Sequence, residues 1–151
     1  MTRWLDDAQQ HAWRALITVV ELLPGRLDAQ LRRDADISHF EYFTLAMLSE
    51  APERTLRMTE LAQLTNSTLP RLSHVVSRLE ARGYLERQPR PTDRRATNAM
   101  LTEAGWNKVI NTAPGHAAMV LDTVFAGLDD RDVADLRRIM DRILERIEHA
   151  A

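Results

Sequence analysis

The sequence predicts a mainly helical fold with one small β-hairpin. Glycine is scarce, at five of 151 residues, whereas Leu, Ala, Arg and Glu, which favour helices, are abundant. Apolar residues recur every three or four positions near both ends of the chain, as on the buried face of a helix. Between these regions, two short segments within residues 84–101 flank a turn-rich stretch, which is typical of a hairpin.

The first helix is predicted from Leu5 to about Leu31, because apolar residues repeat at helical spacing throughout this range. The apolar stripe is wide, which indicates a helix covered on more than one side. Pro24 and Gly25 lie inside the pattern, and they predict a kink or break there.

A second helix is predicted from Ser38 to about Glu50. Ser38 and Glu41 have the spacing of a capping box, in which each side chain bonds the other residue's backbone N–H. A short extended piece follows at Leu56 and Arg57, and Thr59 is predicted to cap a compact helix over residues 60–64.

The next helix is joined to this compact helix by a short turn at residues 65–67, which predicts a helix-turn-helix. Thr68 is predicted as its N-cap, and Pro70 lies in the first turn, where a missing N–H costs little. Gly83 is predicted to end the helix. Its buried face is expected to consist of Leu72, Val75, Val76 and Leu79.

The hairpin is predicted from two strands, residues 84–88 and 95–101, joined by a loop at 89–94, although Ala99 and its polar neighbours are poor strand formers. Thr102 is predicted to cap a long helix that bends at Pro114. In the last helix, the apolar residues have the 3-4-3-4 spacing of a heptad pattern: Val133, Leu136, Met140, Ile143 and Ile147. A heptad face on a chain of this size favours dimerisation over an intrachain core.

Positive charge is concentrated in one part of the chain. The whole chain has a formal net charge of −2, yet residues 66–95 hold seven arginines against three acids, a surplus of four positive charges. A basic stretch on an acidic body is typical of a site for a polyanion, and chance clustering on a solvated surface is the alternative.

The exposed side of the second helix of the helix-turn-helix has the residue types that contact DNA. Such a helix fits the major groove with its N-terminal half against the base edges. Arg71 can bond guanine O6 and N7 together, and Ser73 can donate to a phosphate or a base edge. The expected DNA-binding residues on this helix are Thr68, Pro70, Arg71, Ser73, His74 and Arg78.

The hairpin tip has arginines that can reach the adjacent minor groove: Arg90, Arg94 and Arg95. Asp93 can hold the guanidinium of Arg95 in place, although aspartate is also a common turn residue.

The sequence from Asp93 to Gly105 resembles a family signature: D-x-R, five residues, then L-T-x-x-G. The upstream run R-L-E-A-R-G-Y-L-E-R, from Arg78 to Arg87, and the segment 37–48 are also similar to those of the multiple-antibiotic-resistance regulator (MarR) family of winged helix-turn-helix repressors. The resemblance covers roughly residues 35–110. It implies that Arg95 enters the minor groove with Asp93 as its partner, and that the terminal helices interlock two chains.

Other classes of site have little support in the sequence. The chain has no cysteine, and its five histidines lack metal-ligand spacing, so neither a disulfide nor a metal site is expected. No nucleophile motif or phosphate-binding glycine loop is present, so we expect no enzyme and no cofactor. No apolar run reaches the roughly 18 residues of a membrane span, and we expect a cytoplasmic protein without a membrane partner.

An aromatic set lies on segments that the family places around a cleft. These residues either pack in the core or line an apolar pocket for a small aromatic or phenolic effector. The residues considered for the pocket are Trp13, His39, Tyr42, Phe43, Met47 and Trp106, with Phe40 nearby.

Together these features predict a winged helix-turn-helix, residues 37–101, flanked by dimerisation helices at 1–36 and 102–151. The expected function is a homodimeric, ligand-responsive repressor that binds a pseudo-palindromic operator in double-stranded DNA. A winged-helix module that binds a protein instead of DNA is the first alternative, and a small-molecule carrier is the second.

Overall fold

The computed structural model describes residues 1–90 and 93–150, with the side chains of residues 90–96 outside the description. The helices are α1 (Asp7–Ala35), α2 (His39–Glu50), α3 (Met58–Leu64), α4 (Leu69–Ala81), α5 (Glu103–Val120) and α6 (Asp130–His149). The strands are β1 (Thr55–Arg57), β2 (Leu85–Arg90) and β3 (Asp93–Leu101). A 3₁₀ turn, Pro52–Arg54, precedes β1, and a π turn, Leu121–Phe125, follows α5. The predicted mainly helical fold with a small sheet is confirmed.

Helix α1 is longer than the sequence indicates and continues through Pro24. The predicted kink or break at Pro24 is therefore not a break, and the kink stays a prediction. Pro24 and Gly25 both lie on the exposed side, so water can bond the carbonyl that the proline leaves without a donor. The helix begins at a capping box formed by Asp6 and Gln9, and it ends where Asp36 adopts left-handed backbone, with φ of 50°.

The capping box that begins α2 is confirmed. The backbone N–H of Glu41 donates to the Ser38 Oγ at 3.0 Å, and the Ser38 N–H donates to the Glu41 carboxylate at 3.2 Å. The predicted cap at Thr59 is wrong, because α3 already begins at Met58 and its N-cap is Arg57. Arg57 is also the last residue of β1 and pairs with Asn98, so the chain passes from sheet to helix without a linker.

The sheet has three antiparallel strands in the order β1-β3-β2. The expected hairpin corresponds to β2 and β3, which pair from Leu85 opposite Leu101. On the other side of β3, Leu56 of β1 lies opposite Ala99. The poor strand propensity of β3 is overridden because it pairs on both edges, and the small side chain of Ala99 is fully buried.

One apolar core lies within residues 1–116, which form a compact unit. The predicted buried face of α4 is confirmed, since Leu72, Val75, Val76 and Leu79 are all buried. The largest fully buried apolar side chains are Leu31, Ile37, Leu45, Leu48, Leu61, Leu72, Leu79, Leu85 and Val76.

Residues 117–151 form a second compact unit, which includes the end of α5 and all of α6. Asp129 caps α6, because its carboxylate accepts from the N–H of Asp132 at 2.8 Å. Several apolar side chains of α6 are exposed in the single chain: Val133, Ile139, Leu144 and Ile147. The predicted three-part division at residues 36 and 101 stays a prediction.

Candidate nucleic-acid interface

The turn between α3 and α4 is built by local hydrogen bonds. Asn66 adopts left-handed backbone, with φ of 53°, as expected for asparagine in a turn. The N–H of Ser67 donates to the Ala62 carbonyl at 2.9 Å, and the Thr65 hydroxyl donates to the Leu61 carbonyl at 2.7 Å. The Thr68 Oγ then accepts from the N–H of Arg71 at 3.3 Å, which confirms Thr68 as the N-cap. These bonds fix where α4 starts relative to α3.

Helix α4 buries one face and exposes the other. The buried face is apolar, and every expected DNA-binding residue on α4 lies on the exposed side: Thr68, Pro70, Arg71, Ser73, His74 and Arg78. Gly83 follows the helix with φ of 81°, a backbone conformation that glycine adopts at little cost. All six residues are therefore accessible to a partner from outside the chain.

Arg71 is held against α2 in this structure. Its guanidinium carbon lies 4.2 Å from the centre of the Phe40 ring, a cation–π contact. At an exposed site this contact contributes about 0.5–1 kcal/mol. A bidentate bond to guanine discriminates by about 1–3 kcal/mol, so the stack is weak enough to be exchanged for a base contact.

Arg87 is a site residue that the sequence analysis did not single out. It lies on β2, and its guanidinium donates to the Ser73 carbonyl at 2.7 Å and to the Ser73 Oγ at 3.0 Å. Arg57 was also missed. Both arginines line a groove of about 420 Å³ beside the start of α4, together with Met58, Thr59, Leu69, Pro70, Ser73 and Thr97. Their sequence signals were positive charge near the helix-turn-helix and, for Arg87, its place at the end of the family-like run 78–87.

The basic stretch is partly neutralised within the protein. Arg82 donates to the Asp36 carbonyl at 2.8 Å and lies 3.6 Å from its carboxylate. Arg87 lies 3.5 Å from the Glu80 carboxylate. Arg78, by contrast, makes no ion pair with any residue in the described part of the chain. The two arginines of α4, Arg71 and Arg78, therefore keep a positive charge that no ion pair neutralises among the described residues, whereas Glu80 of the same helix is paired with Arg87.

The hairpin of β2 and β3 forms the wing, and near its tip the structure describes only the backbone. Strands β2 and β3 pair as far as Arg90 opposite Asp93, with a shift in register after Pro89. The side chains of Arg90, Asp93, Arg94 and Arg95 lie outside the described residues. Their predicted contact with the minor groove, and the pairing of Asp93 with Arg95, stay predictions.

Thr102 and Gly105, from the signature motif, join the wing to α5. The Thr102 hydroxyl donates to the Gly83 carbonyl at 2.6 Å, and the Thr102 N–H donates to the Tyr84 carbonyl at 3.1 Å. The Gly105 N–H donates to the Thr102 Oγ at 3.1 Å, so Thr102 also caps α5. The motif thus has a structural role at the base of the wing.

The comparisons with known proteins agree with this geometry. A model of the MarR family matches residues 36–96. Sco3205 from Streptomyces coelicolor, a MarR family transcriptional regulator solved in complex with DNA, is 42% identical with a TM-score of 0.91. The alignment covers 95% of this chain and 91% of Sco3205. The chain belongs to the MarR family of transcriptional regulators.

A second MarR family regulator from Streptomyces coelicolor, AbsC, is 33% identical to this MarR-family chain, with a TM-score of 0.91. That alignment covers 98% of the chain and 99% of AbsC. MhqR from Bacillus subtilis (strain 168), an HTH-type transcriptional regulator, is 33% identical over 48% of the chain and 49% of its own length. The chain spans about half the length of the curated relatives it matches.

The six residues considered for an effector pocket occupy different surroundings. His39 stacks on Phe43 with ring centres 6.4 Å apart, and Tyr42 lies 4.8 Å from the ring of His116. His116, which the sequence analysis did not include, thus joins a cluster with His39, Tyr42 and Phe43. Met47 packs against the core, Trp13 is 49% exposed on α1, and Trp106 lies 3.8 Å beneath the guanidinium of Arg54.

Burial lowers the pKa of both histidines in this cluster. For His39, desolvation outweighs the attraction of the Asp28 carboxylate, which receives the His39 backbone N–H at 2.8 Å. For His116, desolvation and repulsion from His39 act in the same direction. The neutral forms are therefore favoured in the folded protein.

The free energy of unfolding is expected to fall as the pH is lowered from about 7 to 5. Unfolded histidines take up protons near their ordinary pKa of about 6.5, whereas the folded pKa values of His39 and His116 are lower. The unfolded state thus binds more protons in this range, which favours unfolding. Urea unfolding at pH 7.5 and 5.5 measures this fall in the free energy of unfolding. The fall should be smaller in the double variant His39→Gln/His116→Gln.

The control for this experiment is His11→Gln, because His11 is exposed on α1. Asp28 does not contribute in the same range: burial acts to raise its pKa, but hydrogen bonds from Arg32 and the His39 N–H outweigh burial and lower it. Its contribution is lost only as the pH falls through that lowered pKa. An equal loss of stability in the double variant and the native chain would contradict the prediction.

None of the helices in the described ranges, 1–90 and 93–150, combines the length and apolar character needed to cross a membrane.

Proposed function

We propose that this chain is a cytoplasmic, homodimeric transcriptional repressor that binds a pseudo-palindromic operator and releases it on binding a small effector. The observation that carries the proposal is the exposed face of α4, where Arg71, Ser73 and His74 lie next to a winged sheet. The MarR family relative Sco3205, solved with DNA, supports this function over a module that binds only protein.

The homodimer is supported by apolar surface that the single chain leaves exposed. Exposed apolar side chains include Trp4 and Leu5, which precede α1, and Val19, Val20 and Leu22 on α1. Within the second unit, α6 exposes Leu144 at 52% and Ile147 at 61%. Surfaces of this kind mark sites of protein association in soluble proteins, and a second copy of the same chain is the simplest partner.

A two-fold dimer presents two copies of α4 at a fixed separation. The half-sites of the operator are then expected roughly one helical turn apart, about 10–10.5 bp from centre to centre. An effector that favours a dimer with a different separation would reduce affinity for the operator.

The cluster of His39, Tyr42, Phe43 and His116 is the place we propose for that effector. Two buried polar atoms have no hydrogen-bond partner among the residues described: the Nδ1 of His116, within the cluster, and the Oε1 of Gln30, whose amide lies 3.6 Å from where a Cβ on Gly115 would stand. Buried polar atoms are normally bonded, so both can accept a partner from outside the chain. A small aromatic or phenolic acid would supply stacking and hydrogen bonds together.

A mobility-shift assay with the promoter DNA beside the protein's own gene tests the proposal. We expect a shift at nanomolar dimer that weakens steeply with salt, because phosphate contacts release counterions. The absence of a salt-sensitive shift would count against DNA binding, and a flat dependence of partner affinity on salt would favour the protein-binding alternative. Calorimetry with aromatic acids, with and without duplex, separates a regulator from a carrier that does not bind DNA, because the carrier's affinity for the acid would be the same in both measurements.

Arg71→Ala is expected to weaken operator binding roughly 5- to 150-fold, since one bidentate guanine contact discriminates by about 1–3 kcal/mol. The fold should not change, because Arg71 is exposed and its contact is the stack on Phe40. Titration of operator and scrambled duplexes measures the change. Arg33→Ala, an exposed arginine in the last turn of α1, is the matched control, and equal losses in both variants would refute the assignment of Arg71.

A further inference from the structure

Arg87 forms hydrogen bonds with three residues along one side of α4. One terminal nitrogen donates to the carbonyl and hydroxyl of Ser73, at 2.7 and 3.0 Å. The other donates to the Ser77 Oγ at 3.0 Å and to the Glu80 carboxylate at 3.5 Å. The backbone N–H of Arg87 also donates to that carboxylate, at 2.7 Å. Ser73, Ser77 and Glu80 are spaced i, i+4 and i+7, so they share one side of the helix.

These bonds occupy the groups that an arginine would use on DNA. Both terminal nitrogens are already engaged with the protein, and the positive charge is paired with Glu80. The Arg87 side chain is only 27% exposed. A phosphate would have to displace several existing bonds to reach Arg87, whereas Arg78 on α4 is exposed.

The bonds also orient Ser73, one of the residues proposed to contact DNA. Ser73 Oγ accepts from Arg87, which leaves its own hydroxyl hydrogen to donate outward. Ser77 Oγ donates to the Ser73 carbonyl at 3.0 Å while it accepts from Arg87, so it is held in place as well. Three residues beyond Arg87, strand β2 reaches Arg90 at the end of the wing. One side chain thus links the rotation of α4 to the position of the wing.

We propose that Arg87 is a positioning residue that sets α4 against the wing, so that both elements meet the two grooves of one duplex together. This inference rests on the proposed DNA-binding function. Arg87 acts by holding Ser73, Ser77 and Glu80 in place, and it makes no direct contact with DNA.

Three variants distinguish positioning from direct contact by the salt dependence of operator affinity. Arg87→Met keeps the aliphatic stem, and Arg87→Lys keeps the charge but cannot span the four acceptors. Both are expected to lose roughly tenfold in operator affinity. The slope of log affinity against log salt concentration, the salt slope, should not change. Arg78→Met is the comparison: loss of a phosphate contact should reduce the slope by about 0.9.

Glu80→Gln gives the sharpest contrast, because the two hypotheses predict opposite signs. If Arg87 contacts DNA, removal of a nearby acid frees its charge and tightens binding. If Arg87 positions α4, the same variant loosens its bonds and weakens binding. Circular dichroism melting identifies variants that fail to fold, and Glu80→Gln and Arg87→Lys remain informative if Arg87→Met does not fold.

Any one of three results would overturn the inference: native affinity in Arg87→Lys, a reduced salt slope in Arg87→Met, or tighter operator binding by Glu80→Gln. Failure of the unaltered protein to shift any duplex would overturn the proposed function, and the inference with it.

Discussion

Gly105→Ala is expected to destabilise the protein by about 3 kcal/mol, because no space exists for a methyl group at this position. A Cβ added to Gly105 would lie 2.0 Å from the backbone oxygen of Tyr84, 2.9 Å from its carbonyl carbon and 2.6 Å from the Leu101 Cδ1. The Leu101 side chain can rotate, but backbone atoms must move as a segment.

The segment that would have to move is held from several sides. The Tyr84 carbonyl accepts from the N–H of Thr102, and the neighbouring Gly83 carbonyl accepts from the Thr102 hydroxyl at 2.6 Å. A displacement of Tyr84 would break these bonds and pull on β2, which begins at Leu85. The glycine of the signature motif is therefore required by the close approach of α5 to the base of the wing.

Gly25→Ala and Gly127→Ala are the controls, since an added Cβ meets no atom within 4 Å at either position. Gly25 lies inside α1, where alanine is expected to stabilise by roughly 0.5–1 kcal/mol. Urea unfolding at one fixed protein concentration compares the three variants, because dimerisation would couple stability to concentration. A Gly105→Ala protein as stable as its parent would show that α5 can shift away from Tyr84 at little cost.

Helix α4 shows that the local sequence determines much of the site. Its start, its end and its buried face are all set by interactions within about four residues: the Thr68 cap, Gly83 after the last turn, and apolar spacing at 72, 75, 76 and 79. Such signals are present in the sequence itself, so the recognition helix and its exposed residues could be predicted.

Other features depend on contacts between distant segments, which propensity does not contain. The sequence predicts the extended piece at Leu56, but this piece becomes strand β1 because it pairs with β3 more than 40 residues away, as in Leu56 opposite Ala99. The same pairing fixes Arg57 at the helix boundary, which is why Thr59 could not be the cap. The bonds of Arg87 to Ser73 and Ser77 likewise require β2 to fold back along α4, so the sequence showed the charge and family-like position of Arg87 but not these contacts.

Leu144→Glu is expected to shift the protein from dimer to monomer and to weaken operator binding by roughly 10²- to 10⁴-fold. Leu144 is 52% exposed in the single chain, on the apolar side of α6 that we propose faces a second copy. A carboxylate there would have to lose its hydration when the copies associate. A monomer engages one half-site, so it loses the gain in affinity that comes from binding both half-sites in one molecule.

Ala134→Glu is the charge-matched control, because Ala134 is exposed near the start of α6, away from the heptad positions, where an acid also interacts favourably with the helix dipole. Light scattering measures the oligomeric state of both variants, and operator titration measures affinity. If Leu144→Glu is monomeric yet binds the full operator normally, one copy of α4 with its wing suffices. If the variant stays dimeric with normal affinity, α6 is not the interface, and the exposed apolar side of α1 must hold the copies together.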